Sequence, residues 1–201
     1  MTLRITESRI MNANGLALTG SALLCLLISG AGEGGLRAFV RLTAWQATLI
    51  FSAVLAGKPL ETLIPNGWTR SLHARDRVLL KALAFSMITH LMALCLLALV
   101  FPEPFWSTLS SLSLAAGALA YILLCVVTFM PERFAVRELG PRYWRRLRGA
   151  ALGFLWIVFA QTYLSQVPEE PSAFAFFSLL CLVAVLLGVA RFRSRPREIV
   201  Q

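Results

Sequence analysis

The sequence predicts an all-α polytopic membrane helix bundle of about six spans, and three observations predict it. The 201 residues are 58% hydrophobic, with a mean hydropathy of +0.72. That is more apolar surface than a soluble domain of this size hides. The apolar residues fall into six blocks, each near or above the roughly 18–20 residues that carry a helix across a bilayer. Stretches such as LMALCLLALVF and LLCLVAVLLGV lack the apolar/polar alternation of a barrel strand. In lipid the backbone must then satisfy its own hydrogen bonds as helix.

Taken in order, the first span covers 15–32 and runs into the glycine-rich stretch SGAGEGG. That stretch lacks the lysine and the Ser/Thr of a phosphate loop; its glycines let the chain turn into the second span, 38–57. The third span is 78–101, between Arg77 and Pro102, and the fourth is 107–130, ending at Pro131. The fifth, 149–167, starts after Arg148 and stops at Pro168, and the sixth is 173–192. All nine prolines lie outside these six spans. Proline removes a backbone donor and clashes with the preceding turn, so connectors are where it belongs. The spans form one transmembrane domain over 1–201, with no linker or convincing internal repeat.

The net charge of +9 does not point to nucleic acid, because the arginines gather at span ends. Arg4 and Arg9 precede the first span. Lys58, Arg70, Arg75, Arg77 and Lys81 surround the second connector. Arg133, Arg137, Arg142, Arg145, Arg146 and Arg148 fill the fourth, and Arg191, Arg193, Arg195 and Arg197 the tail. Of the lysines and arginines, the odd connectors hold only Arg37 and Arg41, and Glu103, Glu169 and Glu170 sit on that side. Positive residues stay on the cytoplasmic side, which predicts both termini inside a bacterial-type inner (plasma) membrane. In the fourth connector, PERFAVRELGPRYWRRLR, Tyr143 and Trp144 sit among arginines. That mix suits the headgroup layer, where each basic residue contributes about 1 kcal/mol against an anionic leaflet; a docking surface for a cytosolic partner is the other reading. Gly149 with Gly153, and Ser113 with Gly117, are small pairs one turn apart that read as internal helix-packing sites.

Few residues carry chemistry. Cys25, Cys95, Cys125 and Cys181 lie in four different spans without zinc-ligand spacing, and read as small buried hydrophobes. No nucleophile–base pair or carboxylate dyad is evident, so a hydrolytic activity is not expected. His90 is the ionisable side chain set deep in a span, and such groups are functional candidates by default. The bland alternative is a neutral histidine hydrogen-bonded within the bundle. His73 falls among connector charges and is expected to be solvated.

Three segments together resemble the ferric reductase-like transmembrane domain family, which includes NADPH oxidases and the haem-binding membrane subunit of the bacterial methionine sulfoxide reductase system. They are RLTAWQATLIFSAVLAGKPLETL, RDRVLLKALAFSMITHLMAL and LGPRYWRRLRGAALGFLWIVFAQTYL. The likeness covers roughly 40–165 and is to small bacterial members without a reductase domain. It implies electron transfer through two b-type haems, each clamped between one histidine from the third span and one from the fifth. Bis-imidazole ligation leaves the iron no open position and favours electron transfer over oxygen binding. Position by position, the resemblance places the outer ligand of the third span on His90 and its partner on Gln161. The inner pair falls on Asp76 and Arg148.

Asp76 and His90 are fourteen residues apart, about 21 Å along one helix face. Arg148 and Gln161 are about 140° apart on an ideal wheel, so their pairing rests on the resemblance. An amide is a poor iron ligand, and a charged guanidinium has no lone pair to give. At most one haem b is therefore implied, through His90, and none is the alternative. Met87 and Met92 are too close to His90 to reach the opposite haem face, and Met130 is the candidate from another helix. Electrons, if they flow, come from a cytosolic or membrane redox partner; the alternative is a haem-free structural or regulatory membrane protein. Without haem, His90 and Gln161 are expected to hydrogen-bond each other, and Asp76 and Arg148 to meet as an ion pair. Ser29-Gly30-Ala31 also fits a signal-peptidase site after the first span. Retention is expected, because a sixth helix completes the family's pattern.

Overall fold

The computed structural model describes residues 2–30, 32–108, 110–168 and 171–193, and among them the chain is helical without strands. The helices are α1 (Thr2–Ser29), α2 (Glu33–Leu63), α3 (Gly67–Ala74), α4 (Asp76–Val100), α5 (Pro102–Thr108), α6 (Ser111–Phe129), α7 (Glu132–Gln166) and α8 (Pro171–Arg193). Six of them, all but α3 and α5, are long and apolar enough to cross a membrane. The protein is a multi-pass membrane helix bundle. Ala31, Glu169, Glu170, Arg195 and Arg197, which the sequence reading used, lie outside the described residues, as does the side chain of Arg4.

Each expected span has its helix, with shifted ends: α2, α7 and α8 outrun theirs, whereas the fourth, expected over 107–130, is shortened to Ser111–Phe129, its first residues belonging to α5. α2 continues to Leu63 with Pro59 buried inside it, so proline is not confined to connectors. α7 starts at Glu132, and Pro141 lies within it next to Gly140, whose φ of 79° breaks the helix. Only glycine takes that conformation without a Cβ penalty, and Pro141 follows as the first residue of the new helix, where its missing N–H costs nothing. An arm over 132–139 therefore precedes the crossing segment. Between α1 and α2 the chain turns at Gly30, with φ of 70°. A Cβ on Gly35 would collide with the Gly30 carbonyl oxygen. The close turn thus explains the glycine-rich stretch.

Two short helices were not legible as spans. α3 starts from a reciprocal cap, in which the Asn66 side chain accepts from Thr69 N–H and the Thr69 hydroxyl from Asn66 N–H. Trp68 projects from it, 66% exposed. Tyr143 is likewise exposed while Trp144 is buried, so only the first of that pair can serve the interface.

Five helices close a ring. α2 packs on α4 and α8, α4 on α6, α6 on α7, and α7 on α8; α1 lies outside against α2 and α4. The ring interior is filled by side chains from every wall, among them Phe51, Leu83, Met87, Leu124, Leu155, Phe159 and Leu180. Phe51 stacks on Phe159 at 5.2 Å between centroids, and Phe176 lies between Trp45 and Tyr163 at 5.3 Å from each. In lipid, such packing and interhelical hydrogen bonds replace the hydrophobic effect as the force that assembles helices.

The small pairs are not packing sites. A Cβ on Gly149, Gly153 or Gly117 would meet nothing within 4 Å, and Ser113 is exposed. Helix α1 is held by polar contacts instead. Buried Asn14 donates to the Ala82 carbonyl at 3.2 Å, and Gln46 donates to the Asn14 side-chain oxygen at 2.6 Å. Lys81 pairs with Glu7 at 2.5 Å.

Candidate functional site

The candidate site is the stretch of ring between α4 and α7, where the four residues singled out by the sequence were expected to face each other in two pairs. The helices bearing them are not neighbours in the ring. One expected pair meets and the other does not.

Asp76 opens α4, and Arg148 lies seven residues into the crossing part of α7. The Arg148 guanidinium Nη2 donates to Asp76 Oδ2. The side chains are 33% and 20% exposed for Arg148 and Asp76, largely shielded at the end of the bundle. A second bridge stands beside it, from Arg77 to Glu132 at the start of the arm. The two stretches of α7 on either side of Gly140 thus both return to the first turn of α4.

His90 and Gln161 do not pair, contrary to expectation. His90 Nδ1 lies 2.9 Å from Thr43 Oγ1 and 3.1 Å from the Val40 carbonyl, both on α2. Thr43 already donates its proton to the Val40 carbonyl at 2.8 Å. A carbonyl only accepts, so Nδ1 must carry the hydrogen, and Nε2 keeps a lone pair. This tautomer is assigned from the bonding network. Gln161 lies on the exposed face of α7 and makes no hydrogen bond among the described residues. The mismatch follows from rotation about α7: Phe159, Ala160 and Tyr163 take the inward positions, leaving 161 to face out.

Toward α2, the inward face of α7 presents Tyr163 rather than Gln161. Its hydroxyl lies 2.7 Å from Thr48 Oγ1. Thr48 donates to the Ala44 carbonyl, so Tyr163 is the donor. Tyr121 likewise donates to the Met87 carbonyl at 3.1 Å, linking α6 to α4. These hydroxyls were not singled out in the sequence. The available signal was a threonine or tyrosine inside an apolar span, a pattern common enough to pass unnoticed.

The residues present do not fit two stacked haems. The inner positions are taken by the Asp76–Arg148 bridge. Phe51, Leu83 and Leu155 are at most 1% exposed, and they fill the ring interior between α4 and α7. At the outer position His90 Nε2 has the lone pair a metal would need, but Gln161 is turned away. Met130 ends α6 at the rim where α7 starts, and His90 lies about 21 Å from that rim along α4. Met130 is therefore no axial partner. Among the described residues no group of three or more His, Cys, Asp and Glu side chains is placed to hold a metal ion.

Comparison with protein-family models, curated proteins and solved structures gives no match for this chain.

Proposed function

We propose that this chain is a haem-free structural or regulatory membrane protein on a ferric reductase-like helix arrangement, in which side-chain contacts have replaced the cofactor as the tie between helices. The observation that carries the reading is the Arg148–Asp76 bridge, which joins the positions the resemblance assigns to the inner haem ligands. Each side chain satisfies the other there, and the space between the helices is taken by packed residues. Such a protein conducts no electrons itself and acts by what it holds in the bilayer. The proposed setting is a bacterial-type inner membrane, with the arginine-bearing rim and both termini on the cytoplasmic side.

The test is the absorption spectrum and pyridine haemochrome assay of full-length protein purified from haem-supplemented cells. No Soret band is expected. Stoichiometric haem in the purified protein would overturn the reading.

One observation favours a second reading. His90 donates through Nδ1 to a backbone carbonyl, the arrangement that orients metal-ligating histidines. In that reading one haem b per chain is bound through Nε2, and a Soret band appears that His90→Ala abolishes.

A further inference from the structure

The arginine-bearing rim contains an open cavity of about 700 Å³ between the first turn of α4 and the arm of α7. It is lined by Arg77, Pro131, Glu132, Arg133, Val136 and Arg137. Its volume falls in the range of about 300–1,000 Å³ typical of small-ligand clefts. We propose that this cavity holds the phosphate headgroup of an anionic phospholipid drawn from the surrounding bilayer.

Charge is the first argument. Three arginines stand against one carboxylate on the lining. Arg77 and Glu132, both exposed, pair across the cavity and offset each other's charge. Arg137 pairs with Glu138 at 2.8 Å, an exposed contact, while its guanidinium lies 5.5 Å from the Phe134 ring centroid. Arg133 makes no hydrogen bond or ion pair among the described residues. Guanidinium groups present forked donors that match phosphate oxygens, and these two are one helical turn apart on the same arm, where neighbours four residues apart share a face.

Position decides between a lipid and a soluble anion. Arg77 is the second residue of α4 and Pro131 precedes α7, so the cavity lies where two spans leave the hydrocarbon. Exposed apolar side chains flank its lining residues in the chain: Phe129, two residues before Pro131, is 60% exposed, and Phe134, whose ring lies under Arg137, is 48% exposed. A free phosphate gains nothing from those rings, whereas acyl chains attached to a bound headgroup would lie along them. The Gly140 bend makes the arrangement, since a straight α7 would carry the arm's arginines away from α4.

The experiment uses full-length protein in detergent, with bound lipid followed by native mass spectrometry during titration with phosphatidylglycerol, phosphatidylcholine or inorganic phosphate. Phosphatidylglycerol should bind and phosphatidylcholine should not. The variant Arg133→Gln/Arg137→Gln should bind phosphatidylglycerol roughly thirty-fold more weakly, from about fivefold per arginine at a membrane surface. Arg145→Gln/Arg146→Gln removes the same charge from exposed positions off the lining and should weaken binding by less than about threefold. Glu132→Gln should tighten binding by removing the competing carboxylate. Arg133→Lys/Arg137→Lys keeps the charge but not the forked donors, and should recover only part of the affinity. Equal losses in the two glutamine variants would show a diffuse surface potential and overturn the site. Displacement of phosphatidylglycerol by millimolar inorganic phosphate would make it a soluble-anion site, and equal binding of phosphatidylcholine would remove the role of charge; either defeats the proposal.

Discussion

Cutting the Asp76–Arg148 bridge is the most informative perturbation of the bundle, because it links helices that are not neighbours in the ring. Fully exposed ion pairs couple by about 0.2–1 kcal/mol. Breaking a fully buried pair by removing one partner costs about 3–5 kcal/mol. With side chains 33% and 20% exposed, this pair falls between those limits, and a coupling of about 1–2 kcal/mol is expected. Asp76→Asn, Arg148→Gln and the double variant would be unfolded in mixed micelles by rising dodecyl sulfate, with tryptophan fluorescence as the readout. Each single variant should lose about 1–3 kcal/mol, because the remaining charge is left largely shielded and unpaired. The double variant should be no worse than the poorer single one. Strictly additive losses, with a coupling below about 0.3 kcal/mol, would refute the reasoning. The charges would then serve topology separately, and the bridge would not replace a cofactor.

Three further outcomes are expected. Gly149→Ala and Gly153→Ala should leave stability unchanged or raise it by up to about 1 kcal/mol from helix propensity, since no neighbour stands within 4 Å of the added Cβ; a loss of that size in the same unfolding assay would mean these faces are packed. Asn14→Leu should cost about 1–2 kcal/mol, as interhelical polar contacts in membranes do, and adding Gln46→Leu should cost little more, which a thermal aggregation series would show. A reporter fused after Gln201 should read as cytoplasmic, and a periplasmic signal there would reverse the orientation of the bundle.

Much of the fold was legible in the sequence because membrane spans are decided locally. Each apolar residue contributes its own transfer free energy, and the sum over about twenty residues places a helix wherever the chain is cut. The six crossing helices follow from that alone, and the turn between the first two from the glycines of SGAGEGG. The Asp76–Arg148 bridge was reached only through the resemblance that sets these two positions against each other, since the same connectors carry many other arginines and carboxylates.

The rotation of each helix about its own axis was settled only by the tertiary structure. In water, an amphipathic stripe tells which face turns inward. In lipid both faces are apolar, so the sequence gives no such mark on α4 or α7. Hence His90 turned to Thr43 and Val40 on α2 instead of toward α7, Gln161 went outward while Tyr163 took the inward position, and Gly149 and Gly153 faced away from the bundle. Interhelical packing and a few hydroxyl and amide contacts chose among these rotations, and those contacts join residues far apart in the chain: Asn14 with Ala82, His90 with Thr43, and Tyr163 with Thr48. The helices were therefore fixed by summed local hydropathy, and the faces they present by long-range contacts that exist only once the helices have assembled.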